Sequence, residues 1–220
     1  MDKIILDLCG GTGAWSNPYK KAGYDVRVIT LPDYDIEKWR EYPDLVELVK
    51  GNRVYGILAA PPCTMFSIAR NDTTAREKRD LRKGMATVNA CLDLIHECLY
   101  QPFRISDNSL HFWALENPQG YLNRFLGKPA LKFHPYEFGD PYTKQTCLWG
   151  MFNEPVRTPV EPQKLGRTGK TFVKEVEGYF KIKAHQLPEG YKQKTGLSNR
   201  TIFRSITPEG FANAFFKSNQ

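Results

Sequence analysis

The sequence predicts an α/β protein: a mostly parallel sheet flanked by helices, followed by a small, loop-rich, basic segment. Three observations predict it. Short apolar runs without alternation end at clusters of Gly or Pro, the pattern of strands buried on both faces. Segments with helical spacing lie between them, and strands alternating with helices argue for a parallel sheet. After Gly150 the pattern stops, and Pro155, Pro159, Pro162, Gly166 and Gly169 crowd the chain.

Taken in order, residues 3–8 (KIILDL) form the first expected strand and residues 14–22 a short helix closed by Gly23. Residues 25–31 form the second strand. Residues 35–49 form a weaker helix interrupted by Pro43, and residues 53–60 a third strand stopped by Pro61-Pro62. The strongest helix follows, with Leu81, Met85, Val88, Leu92, Ile95 and Leu99 on one face. Thr74 and Glu77 ahead of it have the form of a capping box, and Pro102 stops it. Residues 110–116 form a fourth strand, residues 132–138 and 145–149 two more, and residues 208–216 a last helix. We expect a core over 1–150, a recognition segment over 151–200, and a terminal helix over 201–220 that packs back on the core.

Composition narrows the class. The chain has 220 residues, 41% hydrophobic and 25% charged, which excludes disordered and fibrous classes. No apolar window approaches the roughly 18 residues a membrane span needs. The chain enters a strand pattern directly after Met1-Asp2-Lys3, without a secretory signal, so a cytoplasmic location is expected. Five cysteines (Cys9, Cys63, Cys91, Cys98, Cys147) are an odd number without metal-type pairing. The expectation is a reducing compartment and no metal. Of the net charge of +7, residues 151–220 carry +6. Such a tail is either a solvated face or the part that meets a polyanion such as DNA or RNA, with Arg157, Lys164, Arg167, Lys170 and Lys174 as phosphate contacts.

Three segments carry candidate chemistry, each at an expected carboxyl end of a strand. The first is Asp7-Leu8-Cys9-Gly10-Gly11-Thr12-Gly13-Ala14-Trp15. A strand, a Gly turn and a helix start let the backbone approach a ligand closely. Ser16 stands where a dinucleotide fingerprint needs its third glycine, and the Gly-Lys-Ser/Thr of a phosphate loop is missing. A nucleoside-type cofactor is therefore favoured, S-adenosylmethionine being the commonest; the alternative is a tight structural turn. The second is Ala60-Pro61-Pro62-Cys63-Thr64-Met65-Phe66-Ser67, where two prolines stiffen a loop holding a thiol. Its alternative is an ordinary turn with an incidental cysteine. The third is Leu115-Glu116-Asn117-Pro118, a carboxylate ending an apolar strand. Burial would keep a proton on Glu116 near neutral pH, unless it merely caps the following helix.

In this order the three segments resemble the DNA (cytosine-5) methyltransferases, in a short bacteriophage-type form. That family has Asp-Leu-Phe-x-Gly-x-Gly, Pro-Pro-Cys-x-x-Phe/Tyr-Ser and Glu-Asn-Val motifs, matched here by residues 7–13, 61–67 and 116–118. Residues 136–146 are similar to its Tyr-Gly-Val-Pro-Gln-x-Arg-x-Arg stretch, with Tyr142 for Gln, Lys144 for the first Arg and Thr146 for the second. Phe211-Ala212-Asn213-Ala214 is similar to its closing Gly-Asn-Ala/Ser motif. Cys9 replaces the Phe against the adenine ring, and the acidic residue at the end of the second strand is missing.

The resemblance implies a Rossmann-like S-adenosylmethionine-dependent methyltransferase fold. It implies transfer of a methyl group to carbon 5 of a cytosine flipped out of DNA. Cys63 would be the nucleophile at carbon 6, Glu116 the proton donor to N3, and Lys144 the stand-in for the base-holding Arg, unless a tail arginine such as Arg200 or Arg204 folds in. Asp7, Cys9, Gly11, Thr12, Gly13, Trp15 and Pro61 would line the cofactor site, with Asp33 or Asp35 on the ribose or adenine edge. Ser67, Arg70, Lys164, Arg167, Lys170, Arg200 and Arg204 would meet nucleic acid. Two alternatives stay open: methylation of RNA, and a binding protein that kept the pocket but lost turnover.

Overall fold

The computed structural model describes residues 3–68, 78–100, 110–162, 191, 195–196, 202 and 205–220. Thr74, Glu77, Pro102, Arg70, Lys164, Arg167, Lys170, Lys174, Arg200 and Arg204 lie outside the described residues. The elements run β1 (Ile4–Leu8), α1 (Asn17–Lys21), β2 (Asp25–Ile29), a 3-10 helix (Ile36–Glu41), α2 (Pro43–Lys50), β3 (Val54–Ala59) and a 3-10 turn (Cys63–Met65). They continue with α3 (Leu81–Leu99), β4 (Phe112–Pro118), α4 (Asn123–Leu126), β5 (Leu131–Phe133), a 3-10 turn (Pro135–Phe138), β6 (Thr146–Met151) and α5 (Glu209–Ser218).

One six-stranded sheet has the order β2-β1-β3-β4-β6-β5. The first four strands are parallel, and β6 runs antiparallel to both its neighbours. The chain moves from β1 to β2 on one side, then returns to β3 on the other, so the winding direction switches between β1 and β3. This is a Rossmann-like arrangement. No helix among the described residues is long and apolar enough to cross a membrane.

Strand residues alternate between two cores, as the pleat requires. Ile4, Leu6, Leu8, Ile57, Ala59 and Leu115 face α2, α3 and the 3-10 helix after β2. Ile5, Leu58, Phe112, Ala114 and Leu148 face α1 and α5. There the rings of Phe211 and Phe215, both fully buried, pack on Trp15, with ring centres 5.8 and 5.5 Å away. Phe211 also stacks on Phe133 at 4.2 Å. The last helix therefore completes the core that the first turn begins.

Several elements differ from expectation. α1 starts only at Asn17, because the glycine turn occupies the chain up to Ser16. α3 is capped by Asp80, whose carboxylate accepts from the Arg82 and Lys83 N–H groups. Its fully buried face is Gly84, Val88, Cys91, Leu94, Ile95 and Cys98, so Leu81, Met85, Leu92 and Leu99 flank the core contact instead of centring it. β4 runs on through Asn117 and Pro118, since β6 pairs along its whole length. The strand expected over 132–138 ends at Phe133. Beyond it Pro135, the Glu137 carboxylate on the His134 N–H (2.7 Å), and Gly139 at φ 94° build a 3-10 turn.

Candidate active site

Parallel strands that switch winding direction open a crevice beyond their carboxyl ends, because the two connections leave on opposite sides. In β1, β3 and β4, Leu8 pairs with Ala59 and Ala59 with Leu115. Those three residues stand level. Cys9, Ala60 and Glu116 come next in the chain and stand level; β1 and β3 end there, and β4 runs on to Pro118.

The glycine turn is built over a buried acid. Asp7 has no exposed surface; Ser16 Oγ donates to its Oδ2 at 2.6 Å, and its Oδ1 has no hydrogen-bond partner among the described residues. Burial pushes the carboxyl up to about 6, against the opposing pull of the Ser16 bonds. A Cβ on Gly10 would lie 2.3 Å from Asp7 Cγ, so only glycine lets the turn close over the carboxylate. Cys9 (φ 55°), Gly11 (φ 56°) and Gly13 (φ 71°) then bend the chain through left-handed conformations. Asp7 is thus the support of the turn and not part of its open face.

Other expected cofactor contacts move as well. Trp15 is buried at 2% exposure between Phe211 and Phe215, with its Nε1 unpartnered among the described residues. It belongs to the core, not to the mouth of the crevice. Asp35 caps the following 3-10 helix, accepting from the Glu37 N–H at 3.1 Å, and Asp33 is exposed. Thr12 is half-buried on the turn. One residue that the sequence pattern did not single out joins this region: the Tyr191 hydroxyl lies 3.2 Å from where a Cβ on Gly11 would stand.

The cysteine loop is braced on several sides. Pro61 is buried, and its carbonyl accepts from Asn117 Nδ2 at 2.9 Å. Asn117, fully buried one residue past Glu116, thereby ties the end of β4 to the loop. Cys63 is exposed at the start of the 3-10 turn, and its carbonyl accepts from the Phe66 and Ser67 N–H groups. Met65 and Phe66 anchor the turn in the core. The Arg79 guanidinium donates to the carbonyls of Met65 and, at 3.0 Å, Ser67, and lies over the Tyr121 ring at 4.4 Å. Backbone also meets backbone: Tyr121 N–H donates to the Phe66 carbonyl, and a Cβ on Gly120 would fall 2.2 Å from that oxygen. Arg79 and Gly120 had no signal in the sequence beyond their residue type, and Asn117 stood in the third segment without an assigned role, since each acts on a loop distant along the chain.

Glu116 and Lys144 share the third side. Glu116 Oε1 stands 3.9 Å from Lys144 Nζ, with side-chain exposures of 18% and 29%. Burial raises the Glu116 carboxyl above its ordinary range, and the Lys144 charge opposes the rise. Buried Tyr142 stands close enough for the Glu116 charge, after burial itself and Asp140, to push its phenol up. Thr146 is buried, and its hydroxyl donates back to the Lys144 carbonyl at 3.0 Å, which holds the lysine's stretch of chain. Ser67 is half-buried beside Gly120. Arg157, expected on a phosphate, instead pairs with Glu137 and Glu154 at 2.9 and 2.7 Å. No cluster of three or more His, Cys, Asp or Glu with metal-holding geometry occurs among the described residues.

Fold and site together define an open α/β-sheet protein with a crevice at its switch point, edged by a glycine turn, a braced thiol loop and a raised carboxyl. No protein-family model matches the chain, and no curated protein sequence does. Among solved structures it is similar to a triple mutant of Spodoptera frugiperda DNMT2, at 18% identity and a TM-score of 0.39 over 74% of this chain and 55% of that one. It is also similar to the Entamoeba histolytica methyltransferase EhMeth, at 10% identity and a TM-score of 0.37 over 74% and 57%. The chain spans a little over half the length of each.

Proposed function

We propose that the protein transfers a methyl group from S-adenosylmethionine to carbon 5 of cytosine in DNA. One observation carries the reading: a glycine turn without phosphate-binding features, a braced exposed thiol and a carboxyl raised by burial stand level across adjacent parallel strands. The residues fit the cofactor. The turn closes tightly over Asp7, presents the backbone of Gly11 and Thr12, and carries no lysine for a phosphate chain. When bound, S-adenosylmethionine supplies an electrophilic methyl group.

Carbon 5 of cytosine is a weak nucleophile, so the chain's own residues must activate the ring. The Cys63 thiolate adds to carbon 6, forming a carbon–sulfur bond and moving the electron pair of the 5,6 double bond into the ring. Glu116 gives its proton to N3, where charge develops, and carbon 5 becomes an enamine carbon. Lys144 lies beside the resulting carboxylate and stabilises it. Carbon 5 would bond to the methyl group as the donor's sulfur–methyl bond breaks, leaving S-adenosylhomocysteine; loss of the carbon 5 proton to a base then expels Cys63, and N3 returns its proton to Glu116 as the aromatic ring is restored. Both ring carbons are hidden in a stacked duplex, so the cytosine must be flipped out. Residues 151–200, rich in Lys and Arg, would hold the phosphate backbone. A short chain of this build suits a bacteriophage enzyme working in host cytoplasm.

The test is a trapping experiment. Duplex DNA containing 5-fluorocytosine, incubated with the protein and S-adenosylmethionine, is expected to give a denaturation-resistant adduct, because fluorine cannot leave as a proton does. Cys63→Ser is expected to abolish it. An adduct that survives the change removes Cys63 from the mechanism. Adducts with single-stranded RNA only would move the substrate to RNA, and cofactor binding with neither adduct nor transfer would leave a binding protein.

A further inference from the structure

The glycine turn offers hydrogen-bond donors that no described residue uses. The N–H groups of Gly11 and Thr12 make no hydrogen bond among the described residues, whereas that of Gly13 turns back to the Gly10 carbonyl at 2.9 Å. Above Gly11 stands a third donor, the hydroxyl of Tyr191, brought from the far end of the sequence. Tyr191 is half-buried, its carbonyl accepts from Thr195 Oγ1 at 2.9 Å, and its hydroxyl has no partner among the described residues. Burial raises its phenol above the usual range, so the group is a donor throughout neutral pH. Gly11 is needed here twice, for its φ of 56° and because a side chain would crowd the hydroxyl.

We infer that Tyr191 is a ligand-binding residue of the crevice, closing over the glycine turn and donating a hydrogen bond to an acceptor oxygen of the bound nucleoside cofactor. The site is then composite: its floor comes from residues 7–13 and part of its roof from Tyr191. The inference rests on the cofactor reading above. An acceptor oxygen exists both on the ribose and on the amino-acid carboxylate of S-adenosylmethionine.

Isothermal titration of the full chain separates these possibilities. S-adenosylhomocysteine carries both oxygens, and 5′-methylthioadenosine carries only the ribose. Tyr191→Phe keeps the ring over Gly11 and removes only the hydroxyl. It is expected to weaken S-adenosylhomocysteine binding about tenfold, the size of one lost hydrogen bond to a ligand, with the thermal midpoint of the free protein unchanged. An equal loss for 5′-methylthioadenosine assigns the ribose, and no loss for it assigns the carboxylate. Tyr191→Ala should bind no more tightly than Tyr191→Phe. Wild-type binding with Tyr191→Phe within twofold of it overturns the inference and leaves the cofactor reading standing. Absence of binding by the wild-type protein takes down both.

Discussion

Asp7 and Glu116 stand at the carboxyl ends of two parallel strands of one sheet, and burial raises both carboxyls, yet their surroundings differ. Asp7 is sealed: Gly10 closes over it, Ser16 donates to it, and no described cation is bonded to it. Glu116 keeps an 18% exposed side chain and a lysine 3.9 Å away. A sealed carboxylate can organise the turn above it but cannot exchange a proton with a ligand. A carboxylate open on one side can do so, and a neighbouring cation tunes when. Acids near the strand ends of one fold thus differ in access to a proton by what covers them.

The largest effect expected from this comparison is on turnover. Glu116→Gln should lower methyl transfer by about 10²–10⁴-fold, the usual loss of a general acid, and leave S-adenosylmethionine affinity within a few-fold. Single-turnover transfer and isothermal titration read the two separately. Turnover within threefold of wild type would place Glu116 beside Asp7 as a structural acid.

Asp7 should instead speak through stability. Its folded value of about 6 lies above the ordinary 3.8, so between those values the folded state holds more protons than the unfolded one. Stability must therefore fall as pH rises through that window, by roughly 3 kcal/mol in all, and stay low above it. Asp7→Asn removes this contribution. Urea unfolding at pH 4.5 and pH 7.5 should show a smaller difference for the variant than for wild type. Equal differences would mean that Asp7 does not titrate in this window.

The smallest expected effect sharpens the role of the lysine. In the proposed mechanism Glu116 acts protonated, so activity should fail as pH rises through that group's value. Lys144 holds the value down. Lys144→Met should move the alkaline limb of the kcat profile to higher pH while lowering the maximum several-fold. A limb that does not move would separate the lysine from the acid.

Much of this could be read along the chain. The strands were legible because burial on both faces forces unbroken apolar runs, and α3 because its spacing repeats. The three site segments were legible because special backbone needs special residues: glycine where φ is positive, proline where a loop is stiff. Tertiary contact overrode the rest. Trp15 looked like a lining residue until Phe211 and Phe215, about 200 positions away, enclosed it. Arg157 looked like a phosphate contact until Glu137 and Glu154 took its guanidinium.

What the sequence determined by itself is local: which segments extend or coil, where the chain turns, and which side chains carry reactive groups. Only the tertiary structure decided which of those groups are sealed and which are open. It set Leu8, Ala59 and Leu115 level, laid Asn117 on the Pro61 carbonyl, brought Arg79 to the carbonyls of the thiol loop, and placed Tyr191 over Gly11. The physical reason is range. Backbone preference acts over a few residues, whereas burial and hydrogen bonding at a strand edge depend on whichever distant segment the sheet order brings there.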